Sequence, residues 1–188
     1  ILIAHWGEEP KEVWGPAQSG YQQTQVSTLG EFAVWSDGDE LINNIDAWTP
    51  QRGAYPFISF GDDDTHGAEA LGMDGVDMVW IESEGRLPDG HYAERSFMTS
   101  PFTTDPAELA PRRLRSFPSP YALTVPITVG CGYAGYGYEP GKVLLIRLED
   151  GYWWELPTSG CTGPDFTGDF CFEEVYLITC EEMFLRGG

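Results

Sequence analysis

Two tryptophans stand in matching settings, and this restricts the fold more than any other feature of the chain. Gly30-Glu31-Phe32-Ala33-Val34-Trp35-Ser36-Asp37-Gly38 runs from a glycine through a β-prone stretch to Val-Trp and then into turn residues. The device returns forty-five positions later, after Met73-Asp74-Gly75, in Val76-Asp77-Met78-Val79-Trp80-Ile81-Glu82-Ser83-Glu84. Short β-prone runs bounded by Gly and Asp read as strands, and a fixed repeat reads as a modular array. Each copy is read as the inner strand of a repeated antiparallel sheet. One such sheet cannot bury both of its faces alone, so neighbouring sheets must stack.

A second internal echo supports the repeat. Ile1 to Trp6, a turn, and Glu12-Val13-Trp14-Gly15-Pro16 have the same plan as Val143 to Leu148, a turn, and Tyr152-Trp153-Trp154-Glu155-Leu156-Pro157. Each pairs a Leu/Ile-rich strand with a Trp-bearing strand, and Asp150-Gly151 is a strong two-residue hairpin signal. Tyr55 to Phe60 and Arg112 to Phe117 read as outer strands, the first because Pro56 is tolerated at an edge. Asp105-Pro106-Ala107-Glu108 carries a helix start, but Pro111 limits it to about one turn. The expected units are 26–67, 68–120 and 121–165, with a split unit made of 1–25 and 166–188. The third unit's inner strand is read across 125–134, where its glycines permit close approach.

This array of about four antiparallel sheets resembles a β-propeller of the irregular TolB-like or WD40-like kind. The fold class is therefore all-β, with a β-sandwich as the alternative. The resemblance implies that loops at one end of the inner strands form a ligand surface. It also implies a whole four-bladed ring or part of a larger one. Ile1 is not a start methionine, and the sequence reads as processed or as an excerpt.

Charge narrows the partners. Thirty acidic against ten basic residues give a net charge of −20, which repels phosphate backbones and anionic lipid. Nucleic acid is excluded as an expected partner; a protein or carbohydrate ligand is expected instead. No apolar run approaches the roughly 18 to 20 residues of a membrane-spanning helix. Cys131, Cys161, Cys171 and Cys180 include no Cys-x-x-Cys pair, which argues against zinc and for disulfides in a secreted, periplasmic or cell-surface protein. Cys161 and Cys171 form the easiest bridge by proximity; buried free thiols are the other reading.

Chemistry has few footholds. His5, His66 and His91 are scattered over different units, and neither a Gly-x-Ser-x-Gly nor a His-Glu-x-x-His motif occurs. No catalytic residue is assigned. A carbohydrate-active hydrolase or lyase using carboxylates near the axis is the competing function, and thirty acids would supply a suitable pair by chance. Asp62, Asp63 and Asp64, beside His66, suit Ca²⁺ as crowded hard oxygen ligands. The run lacks the Asp-x-Asp-x-Asp-Gly spacing of a Ca²⁺ loop, and a solvated acidic turn is the plainer reading. Trp35 and Trp80 are expected in the core between sheets. Tyr133, Tyr136 and Tyr138, in a Gly-rich stretch read as flexible, are expected to contact ligand together with Trp153. Trp153 and Trp154 must face opposite ways in a strand, leaving one of them more exposed. The expected function is a non-catalytic binding scaffold.

Overall fold

In the computed structural model, the described residues are 2–3, 11–12, 22–38, 43–60, 65–88, 92–117, 127–139, 142–157 and 174–186. They form an all-β protein with three four-stranded sheets, each an antiparallel meander in chain order. The first contains β3 (Gln22–Leu29), β4 (Phe32–Gly38), β5 (Asn43–Thr49) and β6 (Gly53–Ile58). The second contains β7 (His66–Met73), β8 (Asp77–Arg86), β9 (Tyr92–Pro101) and β10 (Arg112–Phe117). The third contains β11 (Thr128–Gly130), β12 (Tyr133–Glu139), β13 (Lys142–Arg147) and β14 (Trp153–Pro157). Two-stranded pairs precede and follow them: β1 (Leu2–Ile3) with β2 (Lys11–Glu12), and β15 (Glu174–Ile178) with β16 (Met183–Arg186). Among the described residues these two pairs do not join into one sheet.

The sheets pack in series, which a two-layer sandwich does not do. Alternation along β8 sends Met78 and Trp80 one way and Val79 and Ile81 the other. Met78 and Trp80 join Phe32, Val34, Ile45 and Ala47 of the first sheet. Val79 and Ile81 join Ala134, Tyr136, Leu144 and Ile146 of the third. Val143, on the opposite face of the third sheet, meets Val175 and Ile178 of β15. A central sheet apolar on both faces is the direct result of its continuous Met-Val-Trp-Ile run.

Among the described residues the three largest fully buried side chains are Trp35, Trp80 and Tyr136, one in each four-stranded sheet and each in that sheet's second strand. Both tryptophans expected in the core between sheets are buried there. Their strands are second in order, each with a hydrogen-bonded strand on both sides. The strands that reach the neighbouring sheets are the first ones, β7, β11 and β15. A correction concerns 125–134, which is not one strand. Cys131 (φ 50°) and Gly132 (φ 76°) form a two-residue turn of the mirror-image type that suits hairpins. Tyr133 to Glu139 then returns as β12, and the stretch expected to be a flexible loop is a strand.

The first strands cross with almost no room. A Cβ on Gly72 of β7 would lie 2.2 Å from Ile127 O, and one on Gly130 of β11 would lie 2.3 Å from Ile178 O. In both places backbone meets backbone, so the obstruction cannot rotate away. Gly72→Ala and Gly130→Ala are each expected to lower the unfolding free energy by about 1–3 kcal/mol, the usual cost of forcing atoms into a packed site. Urea titrations showing wild-type midpoints for both variants would refute the crossing geometry.

Candidate binding site

One end of the third sheet gathers an exposed aromatic cluster, and local chain chemistry explains each part of it. The β13–β14 turn is closed by Gly151 N–H donating to Arg147 O (2.9 Å) and Arg147 N–H donating to Tyr152 O (2.8 Å). Asp150 Oδ1 accepts from Tyr152 N–H (3.0 Å) and from Arg147 Nε (2.9 Å). Arg147 Nη2 donates to the second carboxylate oxygen. These bonds, led by the one from the Arg147 side chain, hold the Asp150 carboxyl down to about 2. The forked pair therefore stays ionised, with fixed geometry, throughout the physiological range.

The rings assemble around that pair. Tyr152 meets Trp154 edge to face (4.7 Å, 73°), and Trp154 lies 6.3 Å from Tyr133 at 45°. The Arg147 guanidinium stands 5.7 Å from the Tyr152 ring and 6.0 Å from that of Trp154. Tyr152 is 54% exposed, while Tyr133 and Trp154 are half-buried. Next to the cluster is a cleft of about 400 Å³ between the second and third sheets, lined by Asp77, Arg112, Tyr133, Arg147, Leu148 and Glu149. Arg112 donates to Leu148 O across this gap. Partial burial, with repulsion from Asp74, pushes the Asp77 carboxyl upward, and Arg112 offsets part of the effect.

A disulfide fixes the floor. Cys131, in the β11–β12 turn, is bonded to Cys180, in the β15–β16 turn, with Cα atoms 5.2 Å apart. Sequence proximity did not point to this pair. Of the three complete pairings of four cysteines, only the one containing this bond also joins Cys161 to Cys171, which lie outside the described residues.

The residues expected to contact ligand are divided by this arrangement. Tyr133 belongs to the cluster. Tyr136 is fully buried between the second and third sheets, edge to face with Phe97 at 5.5 Å, and is part of the core instead. The Tyr138 side chain lies outside the described residues. Trp153 faces away from the cluster, packs on the core between the second and third sheets, and carries the Arg115 guanidinium 3.8 Å over its ring. Its neighbour Trp154 lies on the other face of β14, beside Tyr133 and Tyr152. Tyr152, Arg147 and Asp150 were not singled out beforehand, although Asp150-Gly151 marked the turn that unites them.

Asp62, Asp63 and Asp64 lie outside the described residues, as do His5 and His91. His66 opens β7, 3.0 Å through Nδ1 from Thr65 Oγ1 and stacked on Phe60 at 5.7 Å. Ser36 is buried and accepts from Ala70 N–H (3.2 Å), tying the first sheet to the second. Among the described residues, no group of three or more His, Cys, Asp or Glu is placed to hold a metal ion. Comparison with known proteins finds no family model that matches the chain and no curated protein similar to it.

A second polar cluster is sealed inside. Arg95 Nη2 of β9 lies 3.0 Å from Glu69 Oε1 of β7, with side chains only 5% and 10% exposed. Burial pushes the Glu69 carboxyl upward, and Arg95 offsets part of this. The Tyr136 hydroxyl beside them is pushed far above its ordinary value, first by burial and then by Glu69. This trio is sealed from ligand, whereas Tyr152 and the Arg147–Asp150 pair are open to solvent.

Proposed function

We propose that the chain is a non-catalytic binding scaffold of β-propeller type that works outside the cytoplasm, with a protein or carbohydrate ligand docking on the Tyr152 edge. The observation that carries this reading is the cluster of Tyr133, Tyr152 and Trp154 around the Arg147–Asp150 pair. Aromatic faces with locked polar neighbours bind with little loss of freedom, because ordering costs were met on folding. The Cys131–Cys180 bond supports an oxidising compartment, where such bonds persist. Serial packing of meander sheets, with a large aromatic in each second strand, supports the propeller reading.

The test is retention of labelled protein on cell-envelope and extracellular-matrix preparations. Wild-type protein is expected to be retained. Tyr152→Ala and Trp154→Ala are each expected to reduce retention on the order of tenfold, equivalent to about 1.4 kcal/mol, while the melting temperature is largely kept. Equal retention of wild type and variants, or none at all, would refute the assignment of this edge.

A further inference from the structure

Resting on the binding reading above, we propose that the Tyr152 edge and its adjoining cleft take a neutral oligosaccharide. A sugar ring presents an apolar face beside hydroxyls that each donate and accept. A site for it therefore needs an aromatic face next to mixed hydrogen-bonding groups. Tyr152 and Trp154 supply the faces, and the Arg147–Asp150 pair supplies the groups. Two of the three guanidinium nitrogens are held by Asp150, which leaves Arg147 Nη1 without a partner among the described residues. The cleft of about 400 Å³ falls within the usual size range for small-ligand sites.

Charge argues for a neutral sugar over an acidic one. Arg147 is neutralised by Asp150, and Arg112 and Asp77 share the cleft with Glu149, so the site offers no surplus of positive charge. The whole chain, at −20, repels a polyanion further. A protein partner ordinarily needs about 800 Å² of surface per side. The other large exposed apolar side chains among the described residues are Val26, Val76, Leu87 and Phe184, which belong to other strands and turns.

Isothermal titration with cello-, xylo-, manno-, malto- and chitohexaose tests the proposal, with oligogalacturonate as the acidic comparison. At least one neutral hexaose is expected to bind with a Kd in or below the millimolar range. Its affinity should be unchanged between about 50 and about 500 mM salt. It should weaken on the order of tenfold in Trp154→Ala and in Tyr152→Ala, with Val26→Ala of the first sheet as a control that leaves it intact. Circular dichroism and melting temperature establish that each variant is folded. If no neutral hexaose binds at about 10 mM, or if only oligogalacturonate binds and does so in a salt-sensitive way, the saccharide assignment is overturned. Should retention on envelope or matrix preparations still depend on Tyr152 in that case, the binding reading stands and the ligand is not a neutral sugar. If that retention fails as well, both fall.

Discussion

Replacing Cys131 and Cys180 together by serine is expected to lower the unfolding free energy by about 4 kcal/mol. The bond closes a loop with a sequence separation of 49, and loop-closure entropy removed from the unfolded chain gives that figure in the chain-entropy model. Against a typical total of roughly 5–15 kcal/mol, this is a large share. For a chain of this length the melting temperature should fall by roughly 10 °C. Both cysteines are exposed, so dithiothreitol should reach the bond without prior unfolding; the double-serine variant shows that any effect belongs to this bond. The loss should also be local. A two-stranded sheet is marginal alone, and β15–β16 docks on the third sheet through Val175, Ile178 and the disulfide. Hydrogen exchange should therefore accelerate at Val175 to Ile178 before it does in β8. An unchanged midpoint in the double-serine variant would mean that the two turns hold together without the bond.

The same turns show where sequence reading succeeds and where it stops. Asp150-Gly151 announces the β13–β14 hairpin because the conformation that turn needs is local and residue-specific. Trp35 and Trp80 announce their burial because large aromatics recurring in β-prone runs have few other places to go. Cys131-Gly132 hides the β11–β12 hairpin, since a cysteine with positive φ is not a usual turn residue. Once that turn is missed, 125–134 looks like one strand and Tyr133 to Tyr138 looks like a loop. Tyr136 then goes unrecognised as the third buried aromatic. The surroundings of Trp153 and Trp154 are hidden for another reason. Alternation says that they face opposite ways, but only the packed neighbour decides which side is covered. Which strand of a sheet meets the neighbouring sheet is likewise set by contacts between distant parts of the chain, as β7, β11 and β15 do.

The Glu69–Arg95 pair lies beyond sequence reading altogether, because nothing in either segment indicates that two positions on β7 and β9 will share one dry space. Its energetics are nevertheless definite. Arg95→Met is expected to destabilise the protein by about 3–5 kcal/mol at pH 7, since it leaves the Glu69 carboxylate buried without a counter-ion. The pH dependence follows from the direction of the Glu69 shift. Its pKa in the folded protein lies above the ordinary 4.5, so within the window between them the folded state holds more protons than the unfolded state. Stability from this group is accordingly present below 4.5 and declines as pH rises through the folded value. Arg95 is the influence that lowers the folded value, so its removal carries the window's upper limit higher and enlarges the loss at neutrality. Near pH 4 the carboxyl is largely protonated in the folded state, and the variant should regain much of its deficit. The quantity to follow is the difference between variant and wild type in urea unfolding, because thirty acidic residues titrate in both. A deficit identical at pH 4 and pH 7 would place the damage in packing and not in charge. The double variant Glu69→Leu/Arg95→Met should recover most of the stability, or exceed wild type, because well-packed apolar groups often match a buried ion pair. That outcome is all the more expected because Arg95 Nε and Nη1 have no hydrogen-bond acceptor among the described residues, and such buried donors carry an uncompensated desolvation cost.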